Sequence, residues 1–319
     1  MYLVGYTASV RLPGSSPRVG HIQGSQSTLT DSHKVEGSVE RVQIAARGLV
    51  FEALLAGPED GQLIVLLHGL PRNCWEWHHQ IPAMAELGFR VVAPDLRGFC
   101  AGARPLEVEA YHIQEYVDDT LAIADEIGGA DCQFHLMGTS IGATMAWRLA
   151  AFHPERVLTL ACLNIPHQGA FFEAALASEA NASDQRERFS YFNDSSKAGN
   201  EREMFHRMLE KQGLPEEETE PYRKALDSDE ALQAVYNYYR AIPLWQRDRL
   251  PKCPMPTLYV WPPESANISP VAAELNGGQV TGPYRFEVLE GVHQPILQAA
   301  PEKLTSLLVE HLETHALKR

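Results

Sequence analysis

Apolar positions fall in short blocks along most of the chain. LIVLL at 63–67 is a continuous apolar run bounded by polar turns, which suits a strand covered on both faces. Before it, VERVQIAARGLVFEALLAG predicts two strands that turn at Arg47-Gly48. Strand-like and helix-like segments then alternate: FRVVAP (89–94), the amphipathic YHIQEYVDDTLAIADEIG (111–128), FHLMG (134–138), SIGATMAWRLAAF (140–152) and VLTLACLN (157–164). Such alternation requires right-handed crossovers and a mostly parallel sheet with helices on both faces, an α/β class. The alternation breaks from Pro166 to about Pro251, where SYFND, EREMFHRMLEKQG and LQAVYNYYRAIPLW are mostly helical and charged. It resumes with PTLYVW (256–261), YRFEVLE (284–290) and a closing helix. The predicted division is an N-terminal extension over 1–36, a core over 37–165 and 251–319, and an inserted helical lid over 166–250. The Ser-, Gly-, Pro- and Thr-rich extension is expected to be flexible or laid along the surface.

Composition narrows the partners. The chain has 319 residues, enough for one large core, with ordinary globular usage of 45% apolar and 21% charged residues. A formal charge of −14 repels phosphate backbones and anionic membranes, so neither nucleic acid nor a membrane is an expected partner. The N-terminus lacks the basic and apolar regions of a signal peptide, and no run reaches the ~18 apolar residues of a membrane span. Cys74, Cys100, Cys132, Cys162 and Cys253 show neither CxxC nor His-linked spacing, so no metal site or disulfide framework is expected. Free thiols in a cytoplasmic protein fit these features. No nucleotide or flavin motif is present, and no cofactor is expected. Whether the chain forms a homodimer stays open.

The sharpest chemical signal is Gly138-Thr139-Ser140-Ile141-Gly142, after a strand and at the start of a helix. The glycines permit a cramped strand-to-helix turn that leaves the serine exposed above the sheet as a nucleophile. His68-Gly69-Leu70-Pro71 follows the preceding strand, where the backbone N–H groups of Leu70 and Ile141 would form an oxyanion hole. His293, beyond the last predicted strand, is the candidate general base. His78 and His79 are placed on a predicted helix as surface or packing residues. Chain order Ser…Asp/Glu…His calls for an acid after PTLYVW, and Glu264 is the only carboxylate nearby, either orienting His293 or standing as a loop charge.

From about residue 40 onward these motifs resemble the lidded α/β hydrolases that include soluble epoxide hydrolases and haloalkane or haloacetate dehalogenases. The resemblance is carried by HGLPRNCWEWHHQIP, FRVVAPDLRGF, FHLMGTSIGATMAWRLAAFHPERV, NIPHQGAF, YNYYRA and GPYRFEVLEGVHQP. In that family the elbow residue is commonly an aspartate that attacks sp³ carbon; this chain has Ser140, which is suited to acyl transfer. The resemblance also implies that Tyr191 and Tyr239 take the places of two lid tyrosines that bind substrate oxygen, unless they serve only as packing residues of the lid. With His68 and Trp75 they make up the candidate substrate-binding set. The family's acid aligns with Ser265, which cannot serve as one.

Three functions follow as expectations. The first is a serine-dependent hydrolase of an ester, lactone or thioester of a medium-sized, partly apolar small molecule. The second is a lyase or cyclase of a biosynthetic pathway that uses His293 as base with the oxyanion hole and lid tyrosines. The third is a non-catalytic receptor built on the same fold.

Overall fold

The computed structural model describes residues 33–35, 39–245 and 248–315. A nine-stranded sheet runs through the molecule, built from β1 (His33–Val35), β2 (Val39–Ala46), β3 (Leu49–Ala56), β4 (Leu63–Leu67), β5 (Arg90–Pro94), β6 (Phe134–Thr139), β7 (Val157–Leu163), β8 (Thr257–Trp261) and β9 (Tyr284–Val288). Their order is β1-β2-β3-β5-β4-β6-β7-β8-β9. From β5 to β9 the pairings are parallel, while β1, β2 and β3 join as an antiparallel flank. β1 belongs to the segment read as an extension, so its last residues add an edge strand; residues 1–32 lie outside the described residues.

The hairpin between β2 and β3 turns at Arg47-Gly48 as expected. Both residues have positive φ, 50° and 77°, and Ala46 pairs with Leu49, giving a two-residue turn that matches the strand twist. Strand β4 shows why its run is apolar throughout. Leu63, Val65 and Leu67 enter one buried cluster, while Ile64 and Leu66 enter the cluster on the opposite face.

Helices α1 (Ile81–Glu86), α2 (Ile113–Gly128) and α3 (Ile141–Phe152) follow the first crossovers. Ile113, Tyr116, Val117, Thr120, Ile123 and Ala124 of α2 are buried at helical spacing, and the His112 side chain caps its start by accepting from Gln114 N–H at 3.1 Å. His78 and His79 do not lie on a helix. They occupy a turn between the 3-10 segment Cys74–Trp77 and α1, which begins only at Ile81 with a proline in its first turn.

Between β7 and β8 stand α4 (Gln168–Ala177), α5 (Glu179–Arg188), α6 (Tyr191–Ser195), α7 (Glu201–Glu210), α8 (Glu216–Ala225) and α9 (Asp229–Trp245). This helical insertion shares the apolar cluster that holds α2 and α3. After β8 come α10 (Pro270–Glu274), α11 (Ile296–Ala299) and α12 (Pro301–His315), whose Leu304, Leu308 and Leu312 close the other face. All five cysteines are unpaired, and no helix among the described residues is long and apolar enough to cross a membrane.

Candidate active site

Ser140 stands between β6 and α3 with φ 52° and ψ −121°, a backbone conformation rare for any residue but glycine. The crowding around it explains the flanking glycines. A Cβ on Gly138 would lie 2.4 Å from the Gly142 carbonyl oxygen, and one on Gly142 would lie 2.3 Å from the carbonyl oxygen of Leu67. Gly142→Ala is therefore expected to lower unfolding free energy by about 1–3 kcal/mol, the usual cost of overpacking. Urea unfolding measures it, and a loss under about 0.5 kcal/mol would mean that the elbow relaxes.

The Leu70 and Ile141 amides are the expected oxyanion donors. Among the described residues neither donates to a protein acceptor, whereas the amides of Gly69 and Arg72 on the same loop are both engaged. His68 is fully buried, and both its ring nitrogens are spent on backbone: Nε2 accepts from Leu96 N–H at 2.9 Å, so Nδ1 carries the proton and donates to the Gly69 carbonyl at 2.9 Å. Burial pushes its pKa down to about 3. It therefore stands as a neutral ring beneath the Gly69-Leu70 loop, with both ring nitrogens already bonded to backbone.

Below the loop lies a pair that the sequence reading overlooked. Arg72 and Glu76 form a buried ion pair, with side chains 3% and 1% exposed, and the second Glu76 oxygen accepts the Gly69 N–H at 2.7 Å. A Cβ on Gly69 would sit 2.7 Å from Arg72 Nη2 and 2.8 Å from Ser140 Cβ, so this guanidinium and the serine approach one another across glycine. The i,i+4 spacing of Arg72 and Glu76 was the available signal. Glu76→Ala would strand both the guanidinium and an amide, and is expected to cost about 3–5 kcal/mol. Chemical denaturation tests this, with the Arg72→Met/Glu76→Leu double variant expected to recover most of the loss.

Tyr191 on α6 and Tyr239 on α9 meet edge to face, with ring centroids 6.2 Å apart. Burial drives both phenol pKa values up, and neither hydroxyl bonds to protein among the described residues, so both are neutral donors. Trp75 is half-buried against the same apolar cluster, and its ring stacks on His78 at 4.2 Å.

His293 lies after β9 as expected, is exposed, and makes no hydrogen bond or ion pair among the described residues. Glu264 is also exposed, and its Oε1 accepts the Gly291 N–H at 2.8 Å, which ties the β8 loop to the histidine loop through backbone. Ser265 beside it is 3% exposed, and its hydroxyl has no hydrogen-bond partner among the described residues. A second unpartnered group was not anticipated. Asn164, just past β7 with φ 71°, buries both its side-chain Oδ1 and Nδ2 without a hydrogen bond among the described residues. Its neighbour Leu163 accepts the Ser140 N–H at 3.3 Å. The asparagine at the end of VLTLACLN was the available signal.

An open cleft of about 630 Å³, lined by Arg41, Glu52, Asp95, Cys100, Glu217 and Lys224 among others, is a separate feature that includes neither Ser140 nor the tyrosines.

Residues 62–263 match the family model described as alpha/beta hydrolase fold. Epoxide hydrolase B of Mycobacterium tuberculosis is 38% identical over 125 residues, which are 39% of this chain and 35% of that protein. The chain thus spans well under half the length of the first curated relatives it matches. Epoxide hydrolase 3 of Xenopus tropicalis is 26% identical over 95% of this chain and 85% of its own length. Among solved structures, a Bacillus megaterium epoxide hydrolase is similar with a TM-score of 0.73 at 20% identity, covering 85% of this chain and 99% of its own.

Proposed function

Because the chain belongs to the α/β-hydrolase fold family, we propose that it is a hydrolase in which Ser140 attacks the carbonyl carbon of an ester, lactone or thioester. The observation that carries this reading is the strained Ser140 turn beside two unengaged amides, Leu70 and Ile141. In it, His293 takes the hydroxyl proton as Ser140 Oγ bonds to carbon, and the two amides hold the oxygen that becomes negative. His293 then gives the proton to the leaving oxygen or sulfur as the acyl bond breaks, and water releases the acyl group by the same steps in reverse.

The relatives named above are epoxide hydrolases. A neutral alcohol is a poor nucleophile toward the sp³ carbon of an epoxide, so Ser140 favours acyl substrates here. In the proposed enzyme the helices between β7 and β8 form a lid, and the Tyr191 and Tyr239 hydroxyls bind a carbonyl or hydroxyl of a medium-sized, partly apolar substrate.

One observation favours a second reading. Glu264, the nearest expected acid, is spent on the Gly291 amide rather than on an imidazole. A His293 base working with the tyrosines, without covalent catalysis, would make the protein a lyase or cyclase.

A fluorophosphonate probe separates the readings. Folded wild type should be labelled on Ser140, read by mass spectrometry of the tryptic peptide, and Ser140→Ala should not be labelled. Absence of label from folded wild type would sink the serine mechanism.

A further inference from the structure

We propose that His78, His79 and Glu218 form a binding site for a zinc-class divalent metal, one that clips helix α8 of the insertion to the core. One ligand atom from each residue lies within 4.8 Å of the other two. The sequence hides this group because two of its members are adjacent and the third is on a distant helix. Folding brings Glu218, in the first turn of α8, onto the turn that precedes α1.

The distances favour a metal over a plain hydrogen bond. Glu218 Oε1 stands 3.5 Å from His78 Nε2 and 3.5 Å from His79 Nε2. Both separations are too long for a good N–H···O bond, which falls at about 2.7–3.2 Å. They are close to the edge of a tetrahedron around zinc, where ligands about 2.1 Å from the ion stand about 3.4 Å apart. One carboxylate oxygen thus faces two imidazole nitrogens at near-ligand spacing.

The surroundings orient these ligands. His78 Nδ1 lies 2.7 Å from the Trp75 carbonyl, to which it donates, and this leaves the Nε2 lone pair for a metal. The ring is held between Trp75, stacked at 4.2 Å and 5°, and His79 at 3.8 Å. The other Glu218 oxygen accepts from Gln298 Nε2 of α11 at 3.2 Å, so the carboxylate is itself positioned.

Two imidazoles and one carboxylate suit zinc, nickel or copper, whereas calcium and magnesium call for oxygen ligands. All three side chains keep some solvent contact, so an ion has a way in, and the fourth position is left for water. Glu216 and Glu217 in the same turn of α8 add negative charge to the approach.

The test uses the full chain, freed of metal by a chelator and titrated calorimetrically with zinc, and in parallel with magnesium. Wild type should bind one zinc saturably and no magnesium. His79→Ala and Glu218→Gln should each weaken zinc binding at least about 10-fold. His79 is exposed, so its variant should keep the fold, as circular dichroism would verify. Zinc should also raise the thermal midpoint and slow proteolysis within residues 166–250 in wild type, but in neither variant. Lack of a saturable zinc site in wild type, or wild-type affinity in either variant, overturns the proposal.

Discussion

Alanine at Ser140 should lower turnover of an ester substrate by on the order of 10⁶-fold, the scale seen when the nucleophile of a serine hydrolase is removed. Stability should hold or rise slightly, because the change removes a side chain that bonds to nothing essential for folding and leaves the strained turn as it was. His293→Ala should bring a comparable loss. Glu264 discriminates further: as the group that orients an imidazole, its removal should cost on the order of 10⁴-fold. As the tie to the Gly291 amide that the structure displays, Glu264→Ala should cost less than about 10-fold, mostly in KM. Full turnover by Ser140→Ala together with an inactive His293→Ala would transfer the protein to the lyase or cyclase reading. Steady-state kinetics on purified variants decide the matter.

Acid should unfold this protein well before its carboxylates are all protonated. Burial holds His68 and His311 down to about 3 and His135 and His167 to about 4. Exposed in the unfolded chain, each returns to about 6.5. Between those values the unfolded chain binds protons that the folded chain refuses, so the stability each neutral ring contributes is complete above about pH 6.5 and is lost as pH falls toward the folded value. Each histidine accounts for up to about 1.4 kcal/mol per pH unit in that window. Buried Asp95 and Asp119 act in the opposite sense, since their folded pKa values are raised. They offset part of the fall and leave its sign unchanged. Urea midpoints should therefore drop by several tenths of a molar or more from pH 7 to pH 5, and His311→Leu should flatten the dependence by about one proton. A midpoint independent of pH across that range would show that these rings stay hydrated.

The strands were legible because their chemistry is local. LIVLL reads as a doubly covered strand whatever lies around it, and β4 spans those five residues. Arg47-Gly48 reads as a turn because its own dihedral preferences set it. Ser140 and its glycines were legible for the same reason: a cramped turn leaves its mark within five residues. By contrast, the helix assigned to His78 and His79 failed because Pro82 moves the helix start past them.

The sequence by itself thus determined the α/β class, most of the strand and helix succession, and the glycine-flanked turn at Ser140, all of which depend on periodicity and turn chemistry over a few residues. Only the tertiary structure decided what those elements do to one another. Packing turned His68 inward as a neutral ring, brought Arg72 and Glu76 together beneath Gly69, and left the Asn164 side chain without a hydrogen bond among the described residues. It spent Glu264 on a backbone amide and carried Glu218 across 139 residues of chain to His79. The reason is physical. A side chain's partner, charge state and solvent access depend on what is folded against it, and in these cases that partner lies in another element or is absent altogether.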